Sequence, residues 1–390
     1  MSLQRNIPLI YISSGLMWRF FVPVLALFYI ASQVPIEEFA IILSVFALVT
    51  LALEIPSGVV ADLLGKKRTL LVARFIYIIE IILLAFFNGF WLFLVAKILS
   101  GVAVSMTSGT NTALLYDTLK KLGREKENKK VYGNLTMITH IFMAFIFVAG
   151  GFLFSIDPKL PAIATIPLVV AGFILTFFLE EPYKNKKKLT IKNSFIHLKE
   201  SFVYLKKHNY VKLLVLYSAP IIGTAGMLFS LSSVYFEIIL IPVYLLGIIA
   251  FFTAMSTALA SRKAHVFEEK LGEKKSLIVM QLISLIGLGL IALMVNYFGV
   301  IFYFFVPIVF GFSVVVVSDY MNKRIETSHR VTLLSIKNMI DNLWIFILFP
   351  IIGFWTKTES MQASFSYLWI VIVIYLAFLV LYFKKLRIRL

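Results

Sequence analysis

Long apolar runs separated by short polar connections fill almost the whole chain. A membrane-crossing helix needs about 20 consecutive apolar residues. The runs predict twelve such helices, near residues 7–32, 38–61, 69–88, 90–117, 133–155, 161–180, 210–233, 238–261, 275–296, 298–321, 332–355 and 363–384. Backbone groups in lipid must find hydrogen-bond partners within their own segment, which favours helices. The alternating segments of about ten residues that mark a membrane barrel are missing. The first run is too long for the apolar core of a cleaved leader and lacks a small-residue cleavage site, so it reads as a retained first helix.

The connections alternate in length and charge. Phe87-Asn88-Gly89 and Asn296-Tyr297-Phe298-Gly299 are near-minimal turns, whereas the intervening connections are longer and basic. With the amino terminus placed inside, most Lys and Arg fall on the inner side, with Lys159 and Lys357 outside and Arg19, Arg74 and Lys97 within spans. The positive-inside rule then predicts a multi-pass protein of the cell membrane with both termini cytoplasmic. The net charge of +17 reflects this topology and contact with anionic lipid rather than nucleic acid. At 60% hydrophobic and 15% charged residues, the composition excludes an ordinary soluble domain. The lack of cysteine excludes disulfides and thiolate metal or redox sites.

The longest inner connection carries Lys184, Lys186, Lys187, Lys188 and Lys192, then Phe195, Leu198, Phe202 and Leu205 at helical spacing. It predicts an amphipathic linker on the inner membrane surface. It divides the chain into a six-helix bundle over 1–180, a basic linker over 181–209 and a second six-helix bundle over 210–390. The halves repeat in sequence. Asp62-Leu63-Leu64-Gly65-Lys66-Lys67-Arg68 returns as Glu269-Lys270-Leu271-Gly272-Glu273-Lys274-Lys275, and Tyr116-Asp117 with Lys130-Val131 as Asp319-Tyr320 with Arg330-Val331. Duplicated six-helix bundles place a solute site near the bilayer midplane.

Ionisable residues inside spans are the candidates for mechanism. A central Arg costs about 2.5–3.5 kcal/mol on insertion scales, so Arg19 is expected to hold an anionic solute or a carboxylate whose protonation drives a cycle. Span eleven puts Ser335, Asn338, Asp341 and Asn342 on one stripe. Desolvation there suits Asp341 to carry a proton, coupled with Arg19. Span five offers Thr136, Thr139 and His140; the His titrates in the physiological range or is simply hydrogen-bonded. Glu80 and Arg74 lie six apart on different faces of span three, so each needs another partner, and Lys97 is available to pair with an acid. Thr107, Ser108, Thr110, Asn111 and Thr112 line a cavity or pack closely around Gly109. Pro220, Gly223 and Gly226 suggest a hinge in span seven.

At the end of span two, Asp62 is placed to accept hydrogen bonds from the amides of a facing helix N-terminus and to pair with Arg68. Such a latch closes the cytoplasmic side, and Glu54, about two turns inward, joins it. There is no phosphate-binding loop, no His-Glu-x-x-His and no acidic or His/Asp cluster at an interface. Enzymatic chemistry and direct ATP drive are therefore not expected.

The pattern Gly58-x-x-x-Asp62-x-x-Gly65 followed by Lys66, Lys67 and Arg68 resembles the major facilitator superfamily of secondary transporters, over essentially the whole chain. The lead-in Glu54-Ile55-Pro56-Ser57, with Ser108-Gly109, Tyr116-Asp117 and Arg330-Val331-Thr332, is similar to a prokaryotic branch often assigned to drug or small-molecule efflux. The resemblance implies an all-α fold of twelve helices in two pseudo-repeated bundles. It also implies alternating access, a small-molecule substrate, protons as the coupling ion, a monomer and no cofactor. The chain departs from the pattern twice. Lys97 with Gly101 stands where the family often has Arg and Gly, which loses the bidentate fork. Gly150-Gly151 lacks the Gly-Pro pair of family exporters. Proton-coupled efflux is the leading expectation, and proton-coupled import of a nutrient or anionic solute the alternative.

Overall fold

The computed structural model describes residues 3–183, 191–294, 296–325 and 330–385, all in helices, turns and irregular connections without a strand among them. Lys184, Lys186, Lys187 and Lys188 lie outside the described residues. The α-helices are α1 (Asn6–Gly15), α2 (Leu25–Ala31), α3 (Ile36–Leu64), α4 (Lys66–Phe86), α5 (Phe90–Ser108), α6 (Thr110–Lys121), α7 (Asn128–Ile156) and α8 (Leu160–Phe177). They continue as α9 (Ile191–Lys207), α10 (Asn209–Ile238), α11 (Val243–Leu293), α12 (Gly299–Tyr303), α13 (Phe305–Arg324), α14 (Arg330–Thr358) and α15 (Met361–Lys385).

Ten of the described segments are long and apolar enough to cross a membrane. One of them, α11, holds two spans that meet at Gly272, where φ is 72° and ψ 166°. The first span is divided between α1 and α2, which completes twelve crossings. Large apolar side chains face outward, as at Phe145, which is 75% exposed. Lipid rather than water suits such a surface.

Two turns explain why glycine recurs in the repeat. Gly65 takes φ 89°, and Gly272, in the second copy of the motif, takes φ 72°. Both lie where a side chain would be strained, so each glycine reverses the chain between adjacent spans.

The first span is not the continuous helix its hydropathy predicts. Residues between Gly15 and Leu25 leave the α-helix, with a short 3-10 turn over Val22–Val24. Pro23 removes a backbone donor here. Neighbouring helices hold the freed backbone, as membrane interiors require: Thr165 Oγ1 accepts from the Phe20 N–H at 3.2 Å. Gly150 of α7 lets the segment approach, because a Cβ there would collide with the Phe20 carbonyl oxygen. Arg19 therefore projects from unwound backbone.

The chain forms two compact units. The first comprises Met1–Val34, Val45–Phe195 and Val243–Phe251. The second comprises Pro35–Ser44, Ile196–Pro242 and Phe252–Leu390. Each unit thus includes the opening turns of a span from the other half of the sequence. The core of the first gathers Ile10, Leu70, Leu114, Leu119 and Leu179, with Ala73, Tyr77 and Ala103 in a separate cluster. The core of the second is larger and runs through Leu214, Ile221, Met280, Val317 and Ile336. The linker α9 is helical as its spacing predicts, but its Leu205 joins the second core instead of lying on lipid. Span seven is one helix, α10, with Pro220 inside it, and Gly223 makes room for the Trp344 ring that a Cβ would strike.

Candidate functional site

Three ionisable side chains meet inside the first unit. The unwound segment supplies Arg19, α4 supplies Tyr77 and Glu80 one turn apart, and α5 supplies Lys97 and Ser100 one turn apart. Arg19 Nη2 donates to Glu80 Oε2 at 2.6 Å and lies 3.4 Å from Ser100 Oγ. Lys97 Nζ is 3.9 Å from Glu80 Oε1, a looser contact. The Arg19 guanidinium also sits over the Tyr77 ring, 4.8 Å from its centroid, a favourable cation–π arrangement. Glu80 is 0% exposed. Its Oε1 has no hydrogen-bond partner, and neither has Arg19 Nε.

A buried carboxylate is tolerated where cations neutralise it and donors satisfy its oxygens. Here one carboxylate faces two cations. Protonating Glu80 removes the negative charge that anchors Arg19 and leaves both cations uncompensated.

The second unit holds its own charged pair. Lys337 and Asp341 sit one turn apart on α14, both buried, with Nζ donating to Oδ2 at 2.7 Å. Asp341 Oδ1 and the nearby Trp344 Nε1 are buried without hydrogen-bond partners. Arg19 and Asp341, expected to act as one couple, belong to different units and each has a separate partner, Glu80 and Lys337. Lys337, which the charge pattern assigns to the inner side, is instead enclosed. Asn338 is exposed and its carbonyl accepts from Asn342 Nδ2 at 2.9 Å. His140 is exposed on α7, with Nδ1 2.7 Å from the Thr136 carbonyl oxygen. Thr107, Thr110 and Thr112 spend their hydroxyls on carbonyls of the preceding turn.

The glycine-centred motif forms a second polar network at the start of α4. Lys66 is paired with Asp117 of α6. The amides of Lys66 and Lys67 donate to the Glu181 carboxylate at 3.2 and 2.8 Å, and Lys67 Nζ donates to the Phe177 carbonyl at 2.7 Å. The carboxylate at the α4 N-terminus is thus Glu181. Asp62 precedes the Gly65 turn on α3, and the capping carboxyl comes from Glu181, just beyond α8. Gly65 also leaves room for it, since a Cβ would sit 3.2 Å from Glu181 Oε2. Glu54 and Asp62 are partly exposed, Arg68 is exposed, and Gly58 has open space around it. In the second unit Arg324 donates to Glu273 at 2.7 Å and stacks on Tyr210.

Tyr77, Ser100, Glu181 and Lys337 were not anticipated as site residues. Lys337 carried a readable signal, the i,i+4 spacing to Asp341. Glu181 carried none, because its partners lie 115 and 114 residues away.

A twelve-crossing helical chain with charge clusters inside its helix bundles is built as a membrane transporter. A match to the Major Facilitator Superfamily spans residues 8–349, and the chain belongs to that family. The family is one of transporters, in accord with the expectation of no enzymatic chemistry. The chain is 23% identical over 254 residues to the class B tetracycline resistance protein of Escherichia coli, covering 64% of this chain and 62% of that protein. The alignment therefore spans under two thirds of that relative's length. Among solved structures, the fold is similar to the nucleoside transporter NupG, with a TM-score of 0.76, 15% identity and coverage of 98% and 100% of the two chains. It is also similar to a bacterial homologue of the human lysosomal transporter Spinster in an inward-facing, unoccupied conformation. There the TM-score is 0.74 and the identity 12%, over 97% and 96% of the chains.

Proposed function

We propose that this protein is a proton-coupled secondary transporter that exports a small molecule across the cell membrane in exchange for protons. Both termini lie in the cytoplasm, lipid surrounds the helices, and the working unit is a monomer. The observation that carries the reading is the Glu80 carboxylate buried between Arg19 and Lys97. Ionised Glu80 fixes Arg19 and with it the unwound first span; protonated Glu80 frees both. A proton can thereby bias which side of the membrane the substrate path faces, as a ligand biases any two-state equilibrium. Lys337–Asp341 is the corresponding charged pair of the second unit. The cytoplasmic latch is the Lys66–Asp117–Glu181 network, with Asp62, Glu54 and Arg68 flanking it. Export is supported by the resistance function in the name of the Escherichia coli relative.

The test uses everted membrane vesicles energised to acidify their interior. Export predicts that a transported compound from a drug-like panel accumulates in these vesicles and leaves when the proton gradient is dissipated. Glu80→Gln is expected to abolish gradient-driven accumulation while exchange of substrate for substrate continues. Undiminished proton-driven accumulation by Glu80→Gln overturns the assignment.

A second reading, import of an anionic solute with a proton, is favoured by the two cations that share one carboxylate. Protonating Glu80 would leave Arg19 and Lys97 for the solute's acidic group. It predicts accumulation in right-side-out vesicles under an inward proton gradient.

A further inference from the structure

Arg74, on α4, is 1% exposed and is the largest side chain so fully enclosed among the described residues. Its Nη1 donates to the Gly172 carbonyl at 3.1 Å and to Thr176 Oγ1, both on α8. Its Nε and Nη2 have no hydrogen-bond partner. Among the described residues it forms no ion pair, and the charged cluster around Glu80 engages Arg19 and Lys97 instead. A guanidinium does not shed its proton in a protein. A fully enclosed cation with unused donors and no counter-ion is the arrangement that folded chains avoid.

The hydrogen-bond acceptors of Arg74 are oxygens of α8, and among the described residues no carboxylate pairs with Arg74. The Thr176 hydroxyl gives its proton to the Gly172 carbonyl at 2.8 Å. Where α1 meets Gly172, a Cβ would lie 3.2 Å from the Ser13 carbonyl oxygen. The next residue, Ser14, has a buried hydroxyl that also lacks a partner. Arg74 lies eight residues into α4, about 12 Å from its start. It is thus set apart from the Lys66 network, and it lies nearly two turns from Glu80.

We propose that Arg74 holds a small monovalent anion, a halide or a carboxylate of acetate size, against Nε and Nη2 within the first unit. The anion supplies the negative charge that no side chain provides there, and it locks α4 to α8. This site does not depend on the direction of transport or on proton coupling.

The experiment follows thermal unfolding of the purified full-length protein at constant ionic strength, titrating sodium chloride, bromide or acetate against sodium gluconate. The wild type should gain about 2–4 °C, saturably, with chloride and bromide. A gain larger with acetate than with the halides assigns a carboxylate, and a gain with halides alone assigns an inorganic ion. Arg74→Gln keeps a donor for Gly172 and Thr176 but no charge, and its unfolding should not respond to any of the anions. Bromide soaked into crystals should give an anomalous peak beside Arg74 in the wild type. Identical unfolding of the wild type in every salt overturns the proposal, as does a full halide response in Arg74→Gln. Should Arg74→Gln not fold, the wild-type titration and the position of the bromide peak decide alone.

Discussion

Lys66 is paired with Asp117 51 residues later, and the second half of the chain repeats the pair with its charges exchanged, as Glu273 and Arg324 at the same separation. Each pair ties the residue after a positive-φ glycine to the later turns of another helix, α6 in one unit and α13 in the other. What the duplication retained is the pairing rather than its sign.

This exchange predicts that the first pair tolerates inversion. Lys66→Glu and Asp117→Lys should each destabilise the protein by about 1 kcal/mol, discounted for partial exposure. The double variant should recover most of the loss. A thermal-unfolding double-mutant cycle measures the coupling; additive losses in the double variant would contradict the idea.

Glu181 caps α4, so Glu181→Ala should cost about 1 kcal/mol, the usual loss at an N-cap. Asp62→Ala should leave the protection of the Lys66 and Lys67 amides unchanged. Hydrogen exchange at these amides separates the two carboxylates, and faster exchange only in the Asp62 variant would reverse their roles.

Within the buried cluster, the distances rank the partners. Glu80 lies 2.6 Å from Arg19 and 3.9 Å from Lys97. Arg19→Gln should therefore be more destabilising than Lys97→Gln. Glu80→Ala strands two cations and should cost about 3–5 kcal/mol, the range typical of a broken buried pair. Unfolding midpoints of the three variants check the order.

Gly150→Ala should displace the unwound segment, because its Cβ would collide with the Phe20 carbonyl oxygen. Overpacking of this kind costs about 1–3 kcal/mol, and transport should fall with it as Arg19 moves. Gly58→Ala meets nothing within 4 Å and should change stability by less than about 0.5 kcal/mol. Equal effects of the two substitutions on transport would dissociate Gly150 from the site.

Lys159, just before α8, donates to the carbonyls of Leu84 and Phe87 at 3.0 and 2.7 Å and closes the end of α4. Burial pushes its amine down from 10.5 to about 8. Between those values the unfolded chain keeps a proton that the native chain has released, so native stability rises with pH across the window. The stability of the wild type relative to Lys159→Met should improve as the pH is raised from the lower value to the higher, as followed by thermal unfolding; a constant difference would refute the shift.

Much of the fold was legible because lipid imposes one dominant rule, that apolar runs of spanning length become helices. The charge asymmetry and the Gly65/Gly272 repeat followed from the same one-dimensional information. The interruption of the first span was less legible, since hydropathy registers apolar character and not whether backbone bonds close within the segment. Arg19, Glu80 and Lys97 could each be singled out as ionisable residues inside spans, but their meeting could not. Arg19 and Glu80 are 61 residues apart, and only helix packing brings them to 2.6 Å.

The sequence by itself determined the number of crossings, the helical class and the duplicated plan, because these depend on the local exchange between water and lipid along the chain. Tertiary structure alone decided which charges are neighbours: Glu80 with Arg19 and Lys97, Asp341 with Lys337, Glu181 with the start of α4, and Arg74 with no acid among the described residues. Electrostatic partnership depends on distance in space, and α-helices packed side by side place residues far apart in the chain within hydrogen-bonding reach.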